Sequence, residues 1–307
     1  MPATLATGGR VLTPASRDAT ALAYENGLVV WTGSDAPGPA LFPDSHRVDL
    51  AGDWVAPAFV ECVVGGVEAD GAAVTAVSAT AASRGVVPAG LPAAHGLDAV
   101  ADRVRAGDRV VLEPGTSPAH LAAELTRLAD ELGGPAVARC VPVLIGYPEI
   151  SDVDLSALAA VGTVILLRPL VDDLVGSDLV RLAGSGVALA ASVRSGDGFR
   201  PWDALRALTA PDSGRGLSPR AAFTATTRGA RRAAGARDGT AGTLTPGAPA
   251  TFARWQTGEL AVVAADDAVQ RWSTDPRSGV PPMPDLSGPD PVLRLLVVDG
   301  EPAGPAE

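Results

Sequence analysis

The sequence predicts an α/β fold: a reduced (β/α) barrel joined to a small composite β-sandwich assembled from both ends of the chain. Two observations predict it. From Trp54 onward, continuous apolar runs rich in β-branched residues alternate with stretches of helical periodicity. That alternation marks parallel strands buried on both faces in successive βα units. On either side, residues 5–50, 243–272 and 291–303 read as short strands, the order expected when two termini meet in one small β domain. The boundaries that follow are 1–56 with 236–307 for the β-sandwich and 57–235 for the barrel.

Taken in order, Ala21–Gly33 reads as a hairpin with Asn26-Gly27 at its turn, where both central residues need positive φ. A Pro- and Gly-rich loop covers Ser34–Pro43. Apolar runs at 54–64, 85–89, 109–113, 137–145, 163–168 and 187–193 supply six strand candidates. Between them, Pro118–Leu132 carries a Leu121, Leu125, Leu128 and Leu132 stripe, and Asp154–Ala160 is a second helix candidate. Ser218–Gly235 reads as a helix with Ser218 as N-cap, Pro219 at its first position and Gly235 as its stop. Roughly 180 residues separate Pro57 from Gly235, against the ~250 typical of eight βα units. The barrel is therefore expected to be trimmed, and a trimmed wall exposes apolar surface that favours association.

Composition narrows the classes. Aromatic residues are 4% of the chain and hydrophobic ones 47%, so the core is expected to be built from Ala, Val and Leu. All 24 basic residues are Arg, and only one Asn and three Ile occur, as codon bias in a GC-rich bacterium would produce. The net charge of −11 argues against nucleic acid and anionic membrane as partners. Cys62 and Cys140 both lie in apolar runs, suited to buried reduced thiols. No cationic stretch followed by an apolar segment opens the chain, and no run approaches the ~20 apolar residues of a membrane span. A cytoplasmic location is the expectation.

Val48–Gly66 (VDLAGDWVAPAFVECVVGG) resembles the first barrel strand of the amidohydrolase superfamily, whose usual form runs V-D-x-x-G-x-x-V-x-P-G-F-V-D-x-H-x-H-G. Pro57, Phe59, Val60, Glu61 and Gly66 keep the frame, while the two histidine positions hold Val63 and Gly65. Gly186–Val193 followed by Pro201-Trp-Asp-Ala-Leu205 resembles the last barrel strand and its downstream P-W. Ser218–Gly235 resembles the helix that follows, and Gly242–Phe252 resembles G-x-L-x-P-G-x-x-A-D-F with Thr251 in place of the Asp. These segments cover about half the chain in the family's order. The resemblance implies a TIM-like barrel of the amidohydrolase type, with one or two divalent ions at the C-terminal mouth activating water against C–N or C–O bonds.

The ligands that the resemblance implies are missing from their positions. Val63 and Gly65 offer no lone pair, no lysine exists to be carboxylated, and the last-strand aspartate position holds Ser192. His46, His95 and His120 have no His-x-His or His-x3-His spacing. Zinc chemistry needs at least three converging donors, so no metal ligands and no cofactor are expected. Alternation along the strand puts Glu61, Val63 and Gly65 on the inward face and turns Cys62 toward the helices. Glu61 is then either a pocket carboxylate or a buried acid held by hydrogen bonds. Polar groups near the C-terminal ends of strands, where this architecture places its sites, are Glu113, Tyr147, Glu149, Arg168, Ser192, Arg194 and Asp197. No G-x-S-x-G elbow or dinucleotide fingerprint occurs.

Three functions follow as expectations. The first is a metal-free, catalytically degenerate relative, a pseudoenzyme acting as a binding or scaffold subunit for an active paralogue or a second copy of itself, or a silent homologue. The second is a hydrolase of non-peptide C–N bonds with Glu61, Arg168 and Asp197 as catalytic groups and Glu113, Tyr147, Ser192 and Arg194 as ligand contacts. The third is a small-molecule binding module with an apolar cavity and one or two polar anchors.

Overall fold

The computed structural model describes residues 2–65, 78–146, 149–196, 198–210, 214–237, 239–258, 260–261 and 282–304. Each of the six apolar runs contains a strand. Val111–Leu112, Val143–Ile145, Val164–Leu167 and Ala188–Ala191 form one parallel four-stranded sheet in chain order. Phe59–Val64 and Val86–Leu91 form a separate parallel pair. Among the described residues the two ladders meet through the His95–Leu112 bridge and through the Glu61 side chain, which reaches Ser192 and Val193.

The four-stranded sheet is buried on both faces, as its uninterrupted apolar sequence predicts. Leu112, Leu144, Ile165 and Leu167 pack with Leu121, Leu125 and Leu128 of helix Pro118–Leu132 and Leu155 and Leu158 of helix Asp152–Ala160. The alternate residues Val111, Val143, Ile145, Val164 and Leu166 pack with Ala230, Ala233 and Ala234. Ser117 and Ser151 start the two leucine-bearing helices, their hydroxyls accepting from the His120 and Asp154 amides at 3.4 and 3.2 Å. Ser218 caps its helix in the same way through the Ala221 amide.

That last helix departs from simple periodicity. It is α-helical over Pro219–Thr224, opens into a π-helical segment over Ala225–Gly229, and closes as α-helix over Ala230–Ala233. Thr226 and Thr227, both buried, bond back to carbonyls one turn earlier, Thr227 Oγ1 to Phe223 O at 2.7 Å. Such back-bonding competes with the helical ladder and loosens it. The segment lies directly on strand Ala188–Ala191: a Cβ on Gly229 would stand 2.0 Å from the Leu189 carbonyl oxygen. Gly242 faces it from the other side, where a Cβ would meet the Arg228 backbone at 2.6 Å. Arg109 fixes the helix end, donating to the carbonyls of Ala233 and of Ala234 (2.8 Å).

Strands from both ends of the chain share one sheet. Its order is Glu301–Pro302, Val292–Val298, Phe252–Gln256, Trp54–Pro57 and Arg10–Val11. A second sheet runs Leu28–Gly33, Ala21–Glu25, Thr4–Thr7 and His46–Asp49. The Asn26-Gly27 turn has φ +50° and +79°, the positive pair that its sequence predicts.

Three expectations change. The run 54–64 is two strands rather than one: Trp54–Pro57 pairs in the five-stranded sheet and Phe59–Val64 pairs with Val86–Leu91. The run 137–145 is strand only at Val143–Ile145, because helix Gly134–Arg139 takes its first part, with Pro135 in its first turn. The core also contains rings. Trp54, Phe59, Trp202, Phe223 and Trp255 pack together with centroids 5.2–6.4 Å apart, and each such pair adds about 0.5–1.5 kcal/mol beyond burial. The few aromatic residues are concentrated where the five-stranded sheet meets helices Pro201–Thr209 and Pro219–Thr224.

Candidate functional site

Glu61 and Ser192 stand 131 positions apart in sequence and touch in the fold. Glu61 lies in the middle of Phe59–Val64, and Ser192 lies just past the C-terminal end of Ala188–Ala191. The Ser192 hydroxyl donates to the Glu61 carboxylate, 2.8 Å from Oε1 and 3.0 Å from Oε2, and the Val193 amide donates to Oε2 at 2.8 Å. Ser192 Oγ in turn accepts from the Arg194 amide at 3.2 Å. Glu61 is 4% exposed and Ser192 7%. Burial pushes the Glu61 carboxyl above the usual carboxylate range, against the opposing pull of the Val193 and Ser192 hydrogen bonds and the Arg194 charge. Such an acid can hold or release a proton beside a hydroxyl that lies just past the end of a neighbouring strand.

The other expected groups divide. Arg194 sits beside the pair with its side chain exposed. Arg168 follows Leu167, the residue whose carbonyl accepts the Ser192 amide, so its backbone is next to the site. Its guanidinium is engaged elsewhere, in a two-pronged ion pair with Asp172 at 2.5 and 3.1 Å. Asp172 also borders Gly146 at the end of Val143–Ile145, so Arg168 is clamped between strand ends. Glu113 is exposed in a turn, its amide bonded to the His95 carbonyl. Tyr147 and Asp197 lie outside the described residues. Glu149 is exposed.

Sequence reasoning missed two participants. The Val193 amide is a backbone donor, which no side-chain pattern signals. Asp172 reads as a loop acid until the turn returns it to Arg168. Cys62 alternates with Glu61 as expected and donates to the Ala230 carbonyl at 3.4 Å. Burial pushes its thiol far up, so it offers no thiolate.

The residues present do not fit the metal centre that the family resemblance implies. Glu61 is the carboxylate within the strand, and both its oxygens already accept hydrogen bonds. Val63 has no donor, and Gly65 has left-handed backbone (φ +75°) that would strain a histidine. His95 is held toward its neutral form by burial and the Arg103 charge, and its chain neighbours bring no second histidine. No group of three His, Cys, Asp or Glu side chains able to hold an ion occurs among the described residues. Nor is any helix among them long and apolar enough to cross a membrane.

Comparison with known proteins separates fold from sequence. No family model matches the chain. The imidazolonepropionase of Paraburkholderia phymatum is 44% identical over 57 residues, a stretch amounting to 17% of this chain and 14% of that enzyme. Solved structures match over nearly the full length. E. coli guanine deaminase is 15% identical with a TM-score of 0.58, covering 98% of this chain and 99% of its own. An amidohydrolase from a Sargasso Sea environmental sample is 16% identical with a TM-score of 0.53, covering 98% and 93%. A zinc-bound adenosine deaminase from Xanthomonas campestris is 14% identical with a TM-score of 0.55, covering 97% and 92%. The fold is amidohydrolase-like across almost the whole chain.

Proposed function

We propose that this chain is a metal-independent member of the amidohydrolase superfamily, a trimmed barrel over 57–235 with a β-sandwich from 1–56 and 236–307. It uses the Glu61–Ser192 pair, braced by the Val193 amide, to anchor a small ligand and acts as a binding subunit, for a second copy or an active paralogue. One observation carries this reading: the hydrogen-bonded Glu61–Ser192 contact. It joins the strands that resemble the family's first and last, at the place where that family's ligands converge, with donors that satisfy the Glu61 carboxylate in place of a cation. The amidohydrolase-like fold supports the ancestry, and fold alone does not confer a reaction.

A second reading has its own support. A carboxyl raised by burial, next to a hydroxyl at a strand end, is equipped for general acid–base work on a C–N bond. In that case Glu61 moves the proton, Ser192 orients it, and Arg194 receives an anionic substrate.

Elemental analysis of protein purified without chelator or affinity metal separates the proposal from an inherited mechanism. Zinc, iron, manganese and nickel are expected far below one ion per chain. Close to one tightly held ion would overturn the metal-independent reading. Turnover of cyclic ureas, imides or aminopurines that Glu61→Gln abolishes would replace the binding role with the hydrolytic one.

A further inference from the structure

At the opposite end of the parallel sheet, where its strands begin, lies a cleft of about 610 Å³. Its floor is apolar, formed by Val141, Ala188 and Leu189 just ahead of or at the start of two strands. Arg139 enters from the end of helix Gly134–Arg139, Arg228 and Arg232 from the π-helical segment and the turn after it, and Arg237 from the loop beyond. All four side chains are exposed. No carboxylate occurs among the described residues of the lining.

The cleft gathers positive charge in a chain whose net charge is negative. The chain carries 35 acidic residues against 24 arginines. Elsewhere some arginines, such as Arg105, Arg127 and Arg168, pair with a carboxylate, and others, such as Arg84, Arg103 and Arg220, form no ion pair among the described residues. What sets the cleft apart is that four of the latter kind meet in one concavity. None of the four cleft arginines forms an ion pair among the described residues. Four guanidiniums without an ion pair among the described residues, gathered around one concavity, repel each other, and an anion lowers that cost. The adjacent helix ends here, and the negative end of its dipole would weaken anion binding. Arg109 counters this by donating to the Ala233 and Ala234 carbonyls, and Gly235 leaves it room: a Cβ there would stand 2.0 Å from Arg109 Nη1.

We infer that this cleft binds a small ligand bearing two or more phosphate groups. Guanidinium forks match phosphate oxygens two at a time. The volume lies within the range of small-molecule sites, and the apolar floor can seat a ring. The net charge of −11 disfavours a nucleic acid as the polyanion.

The probes are sodium tripolyphosphate and ATP, titrated into the full-length protein by calorimetry at low and moderate salt. Both are expected to bind, more weakly as salt rises. Binding of the two with equal strength would identify phosphate alone as the determinant, and tighter ATP binding would place the base on the floor. Arg228→Ala/Arg232→Ala and Arg139→Ala/Arg237→Ala are each expected to weaken binding at least about tenfold. Their thermal midpoints should stay near wild type, because the side chains are exposed. Failure of the wild type to bind either probe, or binding by both double variants at wild-type strength, would overturn the inference. So would light scattering that finds a dimer which the variants abolish, with no uptake of tripolyphosphate: the cleft would then hold an acidic face of a second copy.

Discussion

Replacing Ser192 with alanine removes one hydroxyl, and the consequences can be worked from its three contacts. Ser192→Ala takes from a buried carboxylate a donor at 2.8 Å and leaves the Arg194 amide without its acceptor at 3.2 Å. Hydrogen bonds to charged groups contribute about 1.5–3 kcal/mol, and neutral ones about 0.5–1.5 kcal/mol. Where Glu61 is ionised the loss is therefore about 2–4.5 kcal/mol, or about 4–9 °C in melting temperature at about 2 °C per kcal/mol for a chain of this size. The pH dependence gives the sharper signature. Burial raises the folded-state value of Glu61. The support of such a group is complete below its unfolded value and is lost as pH rises through the folded one. Ser192→Ala deletes a bond that favours the ionised form, so the folded value rises further and the penalty grows with pH. Below the carboxyl range, Glu61 is protonated in both proteins and only the smaller neutral loss remains. Scanning calorimetry from about pH 4 to about pH 8 reads this directly, with Glu61→Gln as the background that cannot ionise. A penalty that is flat with pH, or that grows equally in the Glu61→Gln background, would show that Ser192 does not hold an ionising carboxylate.

Two further outcomes test the packing around the site. Gly229→Ala places a methyl 2.0 Å from the Leu189 carbonyl oxygen and should cost at least about 3 kcal/mol, at the upper end for an overpacked core. Gly184→Ala, at a helix end with open space around it, should be neutral or slightly stabilising. Equal melting temperatures for the two variants would contradict the close approach of helix and strand. Burial raises the thiols of both Cys62 and Cys140. Neither should therefore react with a disulfide reagent at mildly alkaline pH until denaturant is added, when two thiols per chain should titrate. A rapidly reacting thiol in the folded protein would contradict their placement.

What the sequence shows clearly is what depends on local chemistry. The Asn26-Gly27 turn, the Ser218 cap and the Leu121, Leu125 and Leu128 stripe each state their structure within a few residues, and each forms as read. Leu132 ends the stripe largely exposed, because the helix stops there. The parallel sheet is legible because burial on both faces demands unbroken apolar runs. The misreadings arise where one apolar run serves two elements. At 54–64 the strand changes sheets near Ala58, and hydropathy contains no mark of that change. At 137–145 Pro135 starts a helix whose Val137 is as apolar as the strand beyond it. The π-helical segment was hidden because its causes, the Thr226 and Thr227 back-bonds and the close strand at Gly229, depend on partners distant in sequence. At the site, Glu61 and Ser192 were each visible as polar residues at strand positions. Their contact was not, since pairing across 131 residues is a property of the fold.

The residues that preserve the amidohydrolase-like frame and those that would perform its chemistry have different physical jobs. Phe59 is held in an aromatic cluster, Gly242 by a helix backbone 2.6 Å from where its Cβ would be, and Gly229 by a strand carbonyl. Any change there costs packing energy immediately, so the fold itself maintains them. Val63 and Gly65 carry no such duty. Val63 is only partly buried, and Gly65, though its left-handed backbone favours glycine, has no atom within 4 Å of where its Cβ would be. Nothing structural would be lost if histidines disappeared from such positions, and nothing structural would restore them. Ser192 is intermediate: short enough to sit under Glu61 and polar enough to satisfy it. A last-strand aspartate at that point would bring a second carboxylate against the first, and without a cation between them one would have to remain protonated. On the proposed metal-independent reading, Ser192 is the residue that makes Glu61 tolerable, and Ser192→Asp should regain stability only when a divalent ion is supplied. Calorimetry of that variant with and without zinc checks this. Equal stability in both conditions, at the wild-type level, would mean that the strand ends accept two carboxylates unaided and that the hydroxyl is incidental.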